Sequence, residues 1–286
     1  MRRLGVMLVV GALVLGAVSC ADDEDGSSEP AGASTSTTAV APAVAEGDRY
    51  VALGSSIASG FGISVQSTSC GRSDRNYPNL VAAQLGLVLT DVTCGAATVP
   101  FVVDTPQGTN PPQLDAVTPD TKLVTVTIGG NDIGYNATAV GCSDPQTTCS
   151  APPELEANLA ELGPALAAMI DQIQAAAPSA TVVFVTYPRE IPEGNCPELS
   201  YTDEEAELVR SMGERLEAVF VQVAQEADVV FVDPYVEPGD HTGCAPEGER
   251  WTAGAVATDG FAYHPTALGH EVMAEMVLAA LAALAG

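Results

Sequence analysis

The chain has 286 residues, 47% of them hydrophobic, and a formal net charge of −27 at pH 7. The apolar fraction excludes a disordered protein, and the length suits one large domain. A surface this negative repels phosphate backbones and anionic headgroups, so we expect no nucleic-acid partner.

The first twenty residues, MRRLGVMLVVGALVLGAVSC, combine a basic start, an apolar run and small residues that end at Cys20. This layout is typical of a secretory signal. Its last four residues resemble the lipobox of bacterial lipoproteins, in which the cysteine is lipidated and becomes the mature N-terminus. An ordinary signal peptide or an N-terminal anchor is the alternative. Residues 21–47 are small, polar and without hydrophobic period, so they predict a disordered tether that joins a membrane anchor to a domain at 48–286.

Within that domain, short Val-rich runs alternate with longer helical patterns. Five runs, each bounded by Gly, Pro, Asn or Asp, are predicted strands: RYVALG, LVLTDVT, KLVTVTI, TVVFVTY and DVVFVD. Most are continuously apolar, as expected of strands that are covered on both faces. The sequence therefore predicts an α/β fold, a three-layer α/β/α sandwich with a five-stranded parallel sheet.

Three of the intervening helical patterns carry specific expectations. Thr202 and Glu205 form a capping box ahead of one helix. In the preceding helix, Gly163-Pro164 is expected to kink or split the chain. The C-terminal ALGHEVMAEMVLAALAALAG is apolar enough to suggest a membrane span, but His270 and two glutamates favour a packed helix.

The cysteines support export. Apart from Cys20 there are six, an even set behind a secretory signal, which predicts three disulfides with fifteen possible connectivities. They are Cys70, Cys94, Cys142, Cys149, Cys196 and Cys244. A zinc site is the competing interpretation, but the chain has no C-x-x-C pair and its three histidines are not spaced as ligands. We therefore expect no metal and no other cofactor.

Four loops carry unusual residues where parallel sheets place their sites, at the carboxyl ends of the strands. They read GSSIASG, CGAAT, GGNDIG and, at the start of the last helix, YHPTALGH. Each alone could be an ordinary turn or helix cap. Together they supply a hydroxyl at a glycine-flanked turn, a distant histidine base, and donors for an oxyanion. These are the groups that an acyl-transfer reaction requires.

In this order the four loops resemble the SGNH or GDSL-type hydrolases, particularly their secreted actinobacterial esterase and lipase branch. The resemblance covers about residues 48–285 and implies the flavodoxin-like SGNH fold and a serine ester hydrolase of carboxylesterase or lipase type, which acts on an ester substrate. We also expect a monomer. It makes Ser56 the nucleophile and His264 the base. Asn131 and the backbone N–H groups of Ser56 and Ala96 would bind the oxyanion. It also implies the disulfides Cys70–Cys94, Cys142–Cys149 and Cys196–Cys244.

Three positions depart from the family pattern. Ser55 replaces the aspartate before the nucleophile, Ala96 replaces the oxyanion glycine, and Phe261 replaces the acid that orients the histidine. We therefore expect altered hydrogen bonding at Ser55, and strain at Ala96 if its backbone angles are unusual. The imidazole still needs an acceptor for its second N–H. The Phe261 carbonyl is the first candidate, which would make a Ser-His dyad, and Asp259 is the second.

Two other classes of function stay open. A catalytically inactive lipoprotein could use the same cleft to hold a cell-envelope ligand, because a fold does not guarantee activity. A flavodoxin-like cofactor carrier fits less well, since no loop forms a phosphate-cradling Gly-rich turn that leads into a helix. The sequence does not choose among esters of fatty acids, phospholipids or acetylated cell-wall sugars. Trp251 and Phe261 are candidates for an acyl pocket, although core packing is an equally ordinary role for such aromatics.

Overall fold

The computed structural model describes residues 44–64, 66, 69–235 and 241–285. The predicted signal sequence, Cys20 and residues 21–43 of the predicted tether lie outside the described residues. The predicted boundaries of these segments therefore stay predictions.

Five parallel strands form the centre of the fold, as the sequence predicts. They are β1 (Arg49–Gly54), β2 (Val88–Asp91), β3 (Thr121–Thr127), β4 (Thr181–Val185) and β5 (Val230–Val232). The sheet order is β2-β1-β3-β4-β5. The chain leaves β1 for β2 on one side and later places β3 on the other side. The point between β1 and β3 is therefore the switch point, where open α/β sheets form their crevice.

Helices cover both faces of this sheet. The helices are α1 (Ser56–Ser59), α2 (Tyr77–Leu85), α3 (Val99–Val103), α4 (Tyr135–Cys142), α5 (Leu155–Ala176), α6 (Asp203–Glu226) and α7 (Ala267–Ala283). Helix α2 packs on α7, and α5 packs on α6. Consecutive residues of β1, β3 and β4 are buried almost without interruption, which requires cover on both faces. The α/β/α sandwich is confirmed.

The helical predictions have different outcomes. The capping box is present, with Thr202 accepting from the N–H of Glu205 and the Glu205 carboxylate accepting from the N–H of Thr202. The split expected at Pro164 is wrong, because α5 continues through it, and the expected kink stays a prediction. Packing of its buried face compensates for the one backbone hydrogen bond that proline removes. In the part of the chain that the structure describes, no helix has both the length and the apolar character needed to cross a bilayer.

Three disulfides join segments of the chain that follow the strands. Cys70 bonds to Cys94, which links the segments after β1 and β2. The other pairs are Cys142–Cys149 and Cys196–Cys244. These are the pairs that the family resemblance implies. Each cross-link of this kind typically stabilises a fold by about 2 to 4 kcal/mol.

Candidate active site

The turn after β1 places Ser56 at the switch point. Gly54 has φ +140°, and a side chain there would collide with the Thr127 carbonyl oxygen of β3. The Gln113 side-chain amide holds both backbone groups of Gly54, at 2.7 and 3.0 Å. The N–H of Ser55 then donates to the Thr127 carbonyl at 3.0 Å. Strand β1 is thus anchored up to the residue before Ser56, which begins α1.

Ser56 and His264 meet directly although 208 residues separate them. The distance from Ser56 Oγ to His264 Nε2 is 2.8 Å, and both residues are buried. Nδ1 of the same imidazole lies 2.9 Å from the Ala262 carbonyl oxygen. Since a carbonyl only accepts, Nδ1 carries the hydrogen and Nε2 is left to accept from the serine hydroxyl. This tautomer is the one that a general base needs.

The orienting group is not either of the predicted ones. The Phe261 carbonyl accepts the backbone N–H of His264 at 3.1 Å and does not contact the ring nitrogen. Tyr263 has φ +55°, and this left-handed residue turns the chain so that the carbonyl of Ala262 faces the imidazole. The Phe261 prediction is therefore corrected by one residue. The arrangement is still a Ser-His pair with a carbonyl acceptor.

Asp259 is engaged elsewhere. Its carboxylate accepts from the Ser64 backbone N–H at 2.6 Å and pairs with the Arg75 guanidinium at 3.0 Å. These contacts tie the segment before His264 to the loop after α1. The structure contradicts Asp259 as the orienter of His264.

The predicted oxyanion donors lie at the same cleft. Ala96 and Asn131 line it together with Ser56 and His264. Asn131 Nδ2 donates to the Ala97 carbonyl at 2.9 Å, which fixes the amide and leaves its second N–H available. Ala96 has φ +61°, so the unusual backbone angle considered from the sequence is present.

The cleft has a volume of about 410 Å³ and a largely apolar wall. Phe61, Phe261, Ala137 and Val140 form that wall. Phe261 packs edge-on against both Phe61 and His264, each with ring centroids 5.2 Å apart. Sequence reasoning missed Phe61, although it directly follows the GSSIASG loop. A larger cavity of about 540 Å³, lined by Glu198, Arg250 and Leu268 among others, contacts neither member of the Ser-His pair.

Two other sequence candidates lie outside the cleft. Trp251 stacks on His241 with ring centroids 4.6 Å apart and does not line the cleft. His270 is buried, and its Nδ1 accepts the backbone N–H of Tyr77 at 3.1 Å, so it is a packing residue. The described residues contain no group of three or more His, Cys, Asp or Glu side chains that could hold a metal ion.

Comparison with known proteins identifies the family. The model of the GDSL-like Lipase/Acylhydrolase family matches residues 52–272. The chain belongs to this family. This GDSL hydrolase is 34% identical over 249 residues to Lipase 2 of Streptomyces coelicolor, which covers 79% of this chain and 83% of that one. The predicted family and the predicted class of enzyme, a carboxylic ester hydrolase, are confirmed.

Solved structures agree with that assignment. The extracellular lipase of Streptomyces rimosus superposes with a TM-score of 0.67 at 28% identity, over 82% of this chain and 99% of that chain. Phospholipase A1 of Streptomyces albidoflavus NA297 has the same TM-score of 0.67 at 26% identity, over 82% and 99% of the two chains. The GDSL hydrolase therefore shares its fold with an extracellular lipase and with a phospholipase A1.

The burial of His264 predicts an acid-tolerant pH profile. Burial lowers the pKa of His264 to about 4, and the hydrogen bond to the Ala262 carbonyl opposes this shift only in part. Only the neutral imidazole accepts a proton, and it is neutral above its pKa. We expect kcat/KM of the GDSL hydrolase on an uncharged p-nitrophenyl ester to fall on the acid side near pH 4. An acid limb near the ordinary histidine pKa of about 6.5 would contradict this prediction.

The left-handed backbone at Ala96 predicts a stabilising substitution. A non-glycine residue in this conformation costs about 1 to 2 kcal/mol. Replacement by glycine removes this cost, but the larger conformational entropy of glycine in the unfolded chain offsets part of the gain in stability. We expect Ala96→Gly to raise the free energy of unfolding by up to about 1 kcal/mol while ester hydrolysis continues. Ala97→Gly is the matched control, because Ala97 is buried and has no positive φ. Ala97→Gly should lower the melting temperature. If Ala96→Gly lowered it as well, the strain inferred at Ala96 would be refuted.

Proposed function

We propose that this hydrolase is an extracytoplasmic serine esterase or lipase in which Ser56 is the nucleophile and His264 the general base. The observation that carries the proposal is the 2.8 Å contact between Ser56 Oγ and His264 Nε2, combined with the Nδ1 contact that selects the reactive tautomer. A serine hydroxyl is a weak nucleophile until a base takes its proton. The inactive-lipoprotein alternative has no need of such an alignment.

The reaction would proceed in two acyl-transfer steps. Ser56 Oγ attacks the ester carbonyl while its proton passes to His264 Nε2. The negative charge on the carbonyl oxygen is stabilised by the N–H groups of Ser56 and Ala96 and by the Asn131 amide. The imidazolium then gives its proton to the alkoxide as the ester C–O bond breaks. An acyl-serine remains. Water, activated by His264 in the same way, releases the acid and restores the hydroxyl.

The cleft favours uncharged acyl groups. Its described lining residues include no Lys, Arg, Asp or Glu, and they include two phenylalanines, Phe61 and Phe261. An aliphatic chain gains by burial against such a surface, by about 0.8 kcal/mol for each CH₂ group. We therefore infer an ester of an aliphatic acid as the substrate.

A panel of p-nitrophenyl esters of rising chain length tests the proposal. Wild type should hydrolyse them, with kcat/KM rising from acetate to a medium chain, and Ser56→Ala should be inactive. Hydrolysis that survives in Ser56→Ala would overturn the assignment of the nucleophile. A preference for acetate alone would overturn the aliphatic substrate but not the mechanism.

We further propose that the protein is exported and held at the membrane by a lipid on Cys20. The basic, apolar and small-residue order of residues 1–20 supports export. A structural relative from Streptomyces rimosus is itself an extracellular lipase. Labelling of cells with an alkyne fatty acid should tag the wild-type protein and not Cys20→Ser. Equal labelling of both, or secretion of unlabelled wild type, would refute the anchor.

A further inference from the structure

Tyr187 lies between the two loops that carry Ser56 and Asn131. It follows β4 by two residues, and it is 2% exposed. Its Oη accepts the backbone N–H of Gly130 at 2.9 Å and lies 3.4 Å from Ser55 Oγ. One hydroxyl therefore contacts both the residue before the candidate nucleophile and the residue before the candidate oxyanion amide.

The ring of Tyr187 is in direct contact with the Gly130 loop. A Cβ added to Gly130 would lie 2.6 Å from Tyr187 Cε2 and 2.9 Å from Oη, so only glycine fits. On its other side the ring packs on Phe220 of α6, with centroids 5.7 Å apart. The Tyr187 ring therefore lies between α6 and the loop that carries Gly130. Its position sets how closely that loop approaches β4.

Both backbone polar groups of Gly130 are hydrogen-bonded, one in each of the two peptide groups that flank its Cα. The Gly130 carbonyl accepts the N–H of Tyr135 at 2.8 Å, and the Gly130 N–H donates to Tyr187 Oη. Asn131 follows directly and has its amide fixed on the Ala97 carbonyl at 2.9 Å. A displacement of the Gly130 backbone would therefore move the residue from which the Asn131 side chain reaches the cleft. The hydroxyl of Tyr187 opposes that displacement, because it accepts the Gly130 N–H.

We propose that Tyr187 is a positioning residue for the oxyanion hole, whose hydroxyl holds the backbone N–H of Gly130 and so orients the Asn131 amide toward the substrate. The described residues that line the cleft do not include Tyr187, so it acts through Asn131 and not by touching substrate. This inference rests on the proposed function, in which Asn131 donates to the oxyanion. Donors of this kind work only when they are held in place before charge develops.

Tyr187→Phe removes the hydroxyl and keeps the ring against Phe220. We expect kcat on a p-nitrophenyl ester to fall about tenfold while KM changes by less than about twofold, because the loss is confined to the transition state. Tyr50→Phe is the matched control. The Tyr50 hydroxyl is also buried and bonded, to Thr125 Oγ1 at 2.7 Å, but within the sheet and away from the cleft. It should lower the melting temperature and leave kcat unchanged.

A double-mutant cycle separates positioning from general destabilisation. If Tyr187 acts through Asn131, then Tyr187→Phe combined with Asn131→Ala should have the kcat of Asn131→Ala alone, within about twofold. Titration of active sites with a fluorophosphonate expresses each kcat per folded enzyme, so partial misfolding of a variant does not enter the comparison. A kcat for Tyr187→Phe within about twofold of wild type, or losses that multiply in the double variant, would overturn the inference.

The same series distinguishes this inference from the proposed function. A folded wild-type protein that hydrolyses no ester would refute the proposed function itself. An active wild type whose rate is insensitive to Tyr187→Phe would refute only the role of Tyr187.

Discussion

His264→Gln is expected to lower kcat for ester hydrolysis by about 10³- to 10⁵-fold. The glutamine amide fills a similar volume, but its nitrogen has no lone pair that can take the proton of Ser56. The loss should appear in kcat at every pH between about 5 and 8, because the base is missing and not merely protonated. Steady-state rates on a soluble p-nitrophenyl ester, normalised to protein concentration, measure it.

Asp259→Asn is the control that tests the dyad. Because the Asp259 carboxylate is held by Ser64 and Arg75, its removal should change kcat by less than about threefold. The Ala262 carbonyl, which orients His264, is unaffected by this substitution. If Asp259→Asn lost activity as His264→Gln does, the carboxylate would be the working orienter and the carbonyl assignment would be wrong.

Asn131→Ala is expected to lower kcat by about 10²- to 10³-fold with little change in KM. The amide would contact the substrate oxygen strongly only when negative charge has formed on it, so its loss raises the barrier and leaves ground-state binding alone. Stopped-flow measurement of acyl-enzyme formation should show the defect in the first chemical step.

Asn195→Ala offers a matched control for Asn131→Ala. The Asn195 amide also donates to a backbone carbonyl, that of Tyr201 at 2.8 Å, but Asn195 does not line the cleft. Its replacement should leave kcat unchanged. A rise in KM with constant kcat for Asn131→Ala would show that this amide binds the ground state, and it would remove Asn131 from the oxyanion hole.

The sheet and the four loops could be predicted because their signals are local. Each strand is a short apolar run bounded by turn residues, and each candidate site residue follows a strand or begins a helix. Parallel pairing then brings the loops to one edge of the sheet. The physical rules that connect these steps act over a few residues, so a single sequence contains them.

The missed features depend on contacts between distant residues or on one backbone angle. Tyr263 adopts a left-handed conformation that the sequence does not mark, and the carbonyl that contacts the His264 ring is that of Ala262. Asp259 pairs with Arg75, which is 184 residues away in the sequence, and this contact holds its carboxylate away from His264. Tyr187 and Gly130 meet across 57 residues. Patterns of hydrophobicity and turn propensity do not encode these pairs.

The departures from the family pattern are accommodated in the structure. Ser55 Oγ lies 3.4 Å from the Tyr187 hydroxyl, which itself accepts the Gly130 N–H at 2.9 Å. Ala96 retains the backbone N–H in a left-handed conformation. Phe261 packs against His264 while a main-chain carbonyl replaces the acid. None of the three changes alters the atoms that the proposed chemistry uses.

Covalent labelling with a fluorophosphonate tests the central claim most directly. The reagent forms a stable adduct with a serine whose hydroxyl is activated by a neighbouring base. We predict that purified wild-type protein is labelled at neutral pH, that mass spectrometry of its peptides maps the adduct to Ser56, and that Ser56→Ala is not labelled. A folded wild-type protein that stays unlabelled, or an adduct that maps to another serine, would contradict the account.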